Sequence, residues 1–176
     1  MQTATRGRSA GLSLIQWPER FDPSRTPVHE RNELAMAAAQ EAVWAWLIRA
    51  ADWPAWYPNS HEVRIEDGTR RDLSAGVRFT WRTFGVSLES RVEEFVPPAR
   101  VAWTALGLGV DVYHAWLIEP RPGGCWVLTE ETQYGWAARL GHFLMPSRMH
   151  RGHQIWLEKL AERAAGGHSA SAAGPT

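Results

Sequence analysis

The succession of hydrophobic periods along this chain predicts an α+β fold: a curved antiparallel sheet of about seven strands wrapped around a long C-terminal helix, with two short helices after the first strand. Three observations predict it. Between about residues 61 and 134, short runs alternate apolar and polar side chains, and turn residues separate each pair of runs. From about Gly141 to Ala165 the apolar spacing lengthens to that of a helix, with Met149, His153, Trp156 and Leu160 on one stripe. Finally, eleven tryptophans stand in 176 residues. A Trp offers a broad apolar face and one N–H donor, which suits the wall of a pocket for a flat or greasy molecule.

Residues 1–27 place Pro18, Pro23 and Pro27 among polar side chains and read as a partly flexible N-terminal arm, pinned by Trp17 and Phe21. The domain itself is expected over residues 28–165, and the small, polar stretch 166–176 reads as a flexible tail. Val28 to Ala37 alternates enough for a first strand, and Gln40 to Ala51 carries Val43, Trp44, Leu47 and Ile48 at helical spacing. Pro54 and Pro58 then limit the Trp53–Pro58 segment to a short second helix or turn. Strands follow at His61–Glu66, Gly76–Gly85, Val86–Phe95, Arg100–Leu106, Val110–Glu119 and Trp126–Tyr134. In the second of these Phe79 and Trp81 face one way and Arg78 and Arg82 the other. An outward ladder of ion pairs from those arginines to Glu89 and Glu93 is expected. A sheet this wide curls through its own twist, and one amphipathic helix can cover its concave face while leaving a hollow between.

Composition excludes several classes of function. Lys plus Arg and Asp plus Glu number 19 each, so no net field draws nucleic acid or anionic lipid, and no nucleic-acid partner is expected. No apolar run approaches the roughly 20 residues that span a bilayer, so no membrane insertion is expected. The patch Leu12–Ile15 is too short for a secretory signal, which predicts a cytoplasmic protein, monomer or homodimer. The single cysteine, Cys125, follows Gly123 and Gly124 at a hairpin turn and offers neither a disulfide nor a zinc cluster. No nucleophile elbow, P-loop or dinucleotide-binding glycine motif occurs, so no cofactor is expected.

The polar residues that can carry chemistry converge on one hairpin and the last helix. If Ile118 lies opposite Val127 across the Pro120–Gly124 turn, Trp116 faces Thr129 and His114 faces Glu131, all on one side of the sheet. His153 shares its helical stripe with Met149 and Trp156 and can look into the same hollow. Candidate catalytic residues are therefore His114, Glu131 and His153. Glu131 can orient an imidazole that removes or delivers a proton beside a carbonyl. The same pair can instead be a hydrogen-bonded anchor of the sheet. Two His and one Glu also match a non-haem iron set, but no short ligand spacing supports it, and no metal is expected. The candidate ligand-binding wall is Phe79, Trp81, Trp103, Trp116, Met149 and Trp156, with Tyr57 presenting its hydroxyl at the mouth. Tyr113 is a second candidate there, and His142 and His150 are expected to face solvent or the helix end.

The landmarks Val43-Trp44-Ala45-Trp46-Leu47, Trp53-Pro54-Ala55-Trp56-Tyr57-Pro58, Gly76-Val77-Arg78-Phe79-Thr80-Trp81, Ser90 to Trp103, His114-Ala115-Trp116, and Gly123-Gly124 leading to Thr129-Glu130-Glu131-Thr132 and Gly135 resemble the START-related SRPBCC superfamily. The likeness is to its polyketide cyclase/dehydrase-like members and covers almost all of Val28 to Ala165. It implies a helix-grip fold. Members of the superfamily as a whole include lipid carriers, hormone receptors, aromatase/cyclases, oxygenase domains and chaperone activators, so the resemblance supplies no catalytic motif. It implies a small hydrophobic or aromatic molecule, polyketide- or lipid-like, in an internal Trp-lined cavity, with cyclisation or dehydration as the associated chemistry. The alternatives are a non-catalytic carrier or sensor of such molecules, and a protein-interaction module with a filled core.

Overall fold

A computed structural model describes residues 15–166; residues 1–14 and 167–176, which hold the start of the expected arm and all but Gly166 of the expected tail, lie outside the described residues, and Gly166 ends the last helix. Strand β1 (Val28–Met36) leads into helix α1 (Gln40–Ile48) and a 3-10 segment (Ala50–Ala55) that contains Pro54. Six strands follow: β2 (His61–Ile65), β3 (Arg78–Thr83), β4 (Val86–Val96), β5 (Arg100–Gly107), β6 (Val110–Arg121) and β7 (Gly124–Tyr134). Helices α2 (Trp136–Leu144) and α3 (Pro146–Gly166) close the chain. The seven strands form one antiparallel sheet in the order β1-β7-β6-β5-β4-β3-β2, so the first strand closes against the last. Register shifts within β2 and between Val92 and Glu94 of β4 add twist where the sheet curls. This is the helix-grip α+β architecture.

The inner face of the sheet meets α3 through His153, Trp156, Leu157, Leu160 and Ala164, all buried at helical spacing. Asn32 of β1 fastens that helix, donating to the carbonyl of His150 (3.1 Å) and to Gln154 Oε1 (3.2 Å). The outer face of β5 and β6 is covered as well. Phe21 stacks on Tyr113 at 5.6 Å between ring centroids, with Trp17 beside it, and Thr132 Oγ1 donates to the Phe21 carbonyl. Tyr113 is thereby packed on the far side of the sheet, not at a pocket mouth.

Two differences from the sequence expectation bear on function. The terminal helix does not run from Gly141: Pro146 has no N–H to continue the preceding turns and restricts the residue before it, and Met145 takes φ −141°, ψ 65°. The preceding segment is a separate helix, α2, which the sequence reading did not anticipate. It is seated by two glycines. A Cβ on Gly135 would collide with the Gly109 carbonyl, and one on Gly109 (φ +72°) would lie 2.6 Å from Trp136 Nε1. The second difference is the β3–β4 register. Arg78 faces Arg91 and Arg82 faces Ser87, so the expected ladder to Glu89 and Glu93 does not form; Arg91 pairs loosely with Glu93 on its own strand, at 3.8 Å.

Candidate functional site

One half of the interior is filled by rings. Trp53 packs within 6.0 Å of Phe79, Trp81, Trp103 and Trp156, and Trp116 lies 5.1 Å from Trp156. The other half holds a cavity of about 210 Å³. Its floor is Trp81, Thr83, Trp103, Ala105, Val112, His114 and Glu131 of the sheet; Met149, His153 and Trp156 of α3 form a wall, and Ala137, Ala138, Gly141 and His142 of α2 the roof. That volume exceeds the roughly 150 Å³ cavity that takes benzene and falls short of the roughly 300 Å³ at which drug-sized pockets begin. A molecule of one or two rings is the size that fits.

Of the expected wall, Trp81, Trp103, Met149 and Trp156 line this cavity, while Phe79, Trp116 and Tyr57 do not. Phe79 and Trp116 share the correct face but sit in the filled half. Tyr57 is fully buried behind Trp156, stacked on it at 4.4 Å, and its hydroxyl accepts from Asn59 Nδ2 at 3.1 Å instead of presenting at a mouth. Burial pushes its phenol well above the ordinary value, so it stays protonated.

The β6–β7 hairpin has the register inferred from its turn: Ile118 faces Val127, Trp116 faces Thr129 and His114 faces Glu131. His114 Nδ1 lies 3.0 Å from Glu131 Oε2, and His153 Nε2 approaches the same oxygen at 3.4 Å from α3. All three residues are buried: both imidazoles are 1% exposed and Glu131 7%. Two residues missed by sequence reasoning complete the cluster. Gln133 donates its amide to Glu131 Oε1, and Thr129 Oγ1 is 2.7 Å from His114 Nε2. Both lie on the same face of β7 as Glu131, so strand parity was the signal that could have found them.

An ionised carboxylate only accepts, which assigns the network. His114 directs Nδ1–H at Glu131 and accepts the Thr129 hydroxyl at Nε2. With both nitrogens engaged, it is an anchor. His153 directs Nε2–H at Glu131, and its Nδ1 has no partner within the protein. Burial pulls the Glu131 pKa upward, but the charge and hydrogen bond of His114, followed by those of His153, outweigh it and hold the carboxyl well below the usual carboxylate range. For His114, burial is the largest influence and pushes the imidazole below its ordinary 6.5, against the pull of Glu131. Glu131 is thus one buried carboxylate that accepts from both imidazoles and from the Gln133 amide. Two further residues that line the cavity, Trp103 and Trp156, also carry buried indole N–H groups without protein partners. Among the described residues, His114, Glu131 and His153 are also a set whose donor atoms lie within 4.8 Å of one another, close enough for a divalent ion to use.

Comparison with known proteins agrees with this architecture. Residues 9–165 match the family described as polyketide cyclase / dehydrase and lipid transport. The crystal structure of protein jhp0584 from Helicobacter pylori is 30% identical, covers 89% of this chain and 99% of its own, and superposes with a TM-score of 0.81. TTHA0849 from Thermus thermophilus is 18% identical over 80% of this chain and 99% of its own, with a TM-score of 0.66. The di-domain ARO/CYC StfQ of the steffimycin biosynthetic pathway is 14% identical over 81% of this chain and 52% of its own, also with a TM-score of 0.66. The last two share the fold alone. No curated protein sequence matches the chain. With nearly its whole length matched by the family's sequence pattern and its sheet, grip helix and cavity arranged as described, the chain belongs to the polyketide cyclase/dehydrase and lipid-transport family, within the START-related SRPBCC superfamily.

Proposed function

We propose that the protein binds a hydrophobic molecule of one or two rings carrying a carbonyl oxygen, and moves a proton at the carbon beside that carbonyl in a cyclisation or dehydration. The observation that carries this reading is a buried ionised carboxylate, flanked by two imidazoles, on the floor and wall of an otherwise apolar cavity. A carboxylate there is costly without a role or full pairing. His153 is the proton-transfer group: its unpartnered Nδ1 takes the proton from carbon, and Glu131 holds Nε2–H and stabilises the imidazolium that forms. In a dehydration the same imidazolium returns its proton to the departing hydroxyl, which leaves as water. His114 positions Glu131. The N–H groups of Trp103 and Trp156, unpartnered within the protein, are the donors available to the developing enolate oxygen.

The bicyclic ketone 2-tetralone tests both halves of the proposal. Binding is followed by tryptophan fluorescence, and proton transfer by NMR-detected exchange of its α-hydrogens in D2O. Wild type is expected to bind it and accelerate exchange, with H153N and E131Q losing about 10²-fold or more in exchange and less than about threefold in affinity. Binding without accelerated exchange would leave the family's carrier reading in place of catalysis. Failure to bind any ring-containing ketone would remove the cavity reading altogether.

A further inference from the structure

The helix that roofs the cavity is inverted. In a water-exposed helix the large apolar side chains face the interior and small or polar ones face solvent. In α2 the cavity is roofed by Ala137, Ala138, Gly141 and His142, and the large apolar side chains point outward: Trp136 is 64% exposed and Phe143 81%, with Leu140 and Leu144 exposed beside them; Met145, just past the helix, is exposed and also borders the cavity. The end of β5 and the β5–β6 turn extend this surface. Leu106 and Leu108 are exposed there, and the next residue, Gly109, lies beneath the Trp136 indole and accepts the Ala137 N–H at 3.0 Å. Seven of the nine large hydrophobic side chains exposed among the described residues lie on these two adjoining segments. Such concentration is not the scatter of a solvent-facing surface.

Around α2 itself the charge is basic: between Glu131 and Glu158 the sequence contains no carboxylate, while Arg139, Arg148 and Arg151 are exposed. The carboxylates that border the patch lie beside Leu106, which faces Glu89 and Asp111, the second of them paired with Arg20. A net charge of zero over the whole chain conceals this local excess of cations. Outward Trp, Phe and Leu interleaved with Arg on a helix about 14 Å long make an amphipathic element that lies in the plane of an anionic lipid headgroup layer. No described helix is long and apolar enough to cross a membrane, so the element would rest on the bilayer and not span it.

We infer that α2 and the 106–108 turn form a docking surface for an anionic lipid bilayer, and that hydrophobic ligand passes between bilayer and cavity beneath the displaced α2 roof. Docking is independent of the chemistry at Glu131; only the passage of ligand rests on the cavity being a binding site. The experiment uses the full chain and co-sedimentation with vesicles of phosphatidylcholine containing about one-third phosphatidylglycerol. Wild type is expected to sediment with them. It should partition about tenfold less onto pure phosphatidylcholine and about tenfold less in about 0.5 M sodium chloride. F143E/L144E is expected to lose about tenfold or more while retaining the wild-type melting curve and 2-tetralone affinity.

Equal partitioning of wild type and F143E/L144E, or no sedimentation with either vesicle, overturns the proposal. So does light scattering that shows a dimer dissociated by F143E/L144E, which would assign the face to a second copy of the chain. Loss of vesicle binding with 2-tetralone binding intact removes the docking surface alone, whereas vesicle binding without 2-tetralone binding removes the ligand site alone.

Discussion

Acidification should destabilise the protein through His114. The imidazole is buried and held neutral, with its pKa below the 6.5 of an unperturbed histidine. In the unfolded chain it protonates as pH falls through 6.5, so below that value the unfolded state binds the extra proton and stability falls with decreasing pH. The contribution is complete above pH 6.5 and is lost until the folded pKa is reached. Between pH 7.5 and 5.5 a single such group costs at most about 1.4 kcal/mol, the limit in which the folded imidazole takes up no proton in that interval. For a domain of this size that lowers Tm by up to about 5 °C. Glu131 works in the same direction but at lower pH, because its depressed pKa adds stability above its unfolded value near 4.5 that disappears as acid protonates the cluster. Thermal melts at the two pH values, in wild type and in H114N, measure the His114 share: the variant is less stable throughout, and its pH slope is flatter by that amount. The nitrogen shifts of His114 provide the direct readout. An imidazole that gains its proton above pH 6.5 in the folded protein, or a wild-type slope equal to that of H114N, would refute the neutral-imidazole network.

Two packing predictions test the division of the interior into filled and hollow halves. Trp156→Ala, which removes a ring stacked on Tyr57 and 5.1 Å from both Trp53 and Trp116, should cost about 3–5 kcal/mol by urea denaturation and admit the three-ring ketone anthrone, which wild type excludes. A loss under about 1 kcal/mol would show that the rings are loosely packed. Gly152→Ala drives a Cβ into Phe84 Cζ and should cost about 1–3 kcal/mol, with most of that cost relieved by F84A in the double variant. Additive losses would place the strain elsewhere.

The order of strands and helices was legible because period two and period 3.6 are local signals, and the His114–Glu131 juxtaposition was legible because a short connection between two strands determines their register. The same reasoning at the Phe84–Gly85 turn would have paired Arg78 with Arg91 and ruled out the expected ion-pair ladder. Strand parity specifies which face a side chain takes, but not how far along the sheet it sits from the grip helix. Phe79 and Trp116 were therefore placed on the correct side and in the wrong half, and Tyr57 was placed at a surface although Trp156 stacks over it. Helix α2 was missed for a different reason. Its apolar residues keep a helical period, and that period continues past Gly141 into the terminal stretch, so the two helices read as one unless Pro146 is taken as the break between them.

The proposed ligand route follows from these two halves of the interior. The sheet walls are continuous ladders from β1 to β2, and the α3 side is blocked by Trp156, Leu157 and Leu160, each almost fully buried and packed into the ring cluster. Helix α2 covers the cavity without burying its own large side chains: Ala138 is its single buried residue, its seat on Gly109 depends on contacts at its first turn, and the exposed Met145, Pro146 and Arg148 border the cavity just beyond it. The free energy needed to lift it is therefore small compared with that needed to part any other wall. On the proposed ligand route, access to His153 and Glu131 runs beneath α2, so a surface that holds the outward Trp136, Phe143 and Leu144 would also set when the cavity opens.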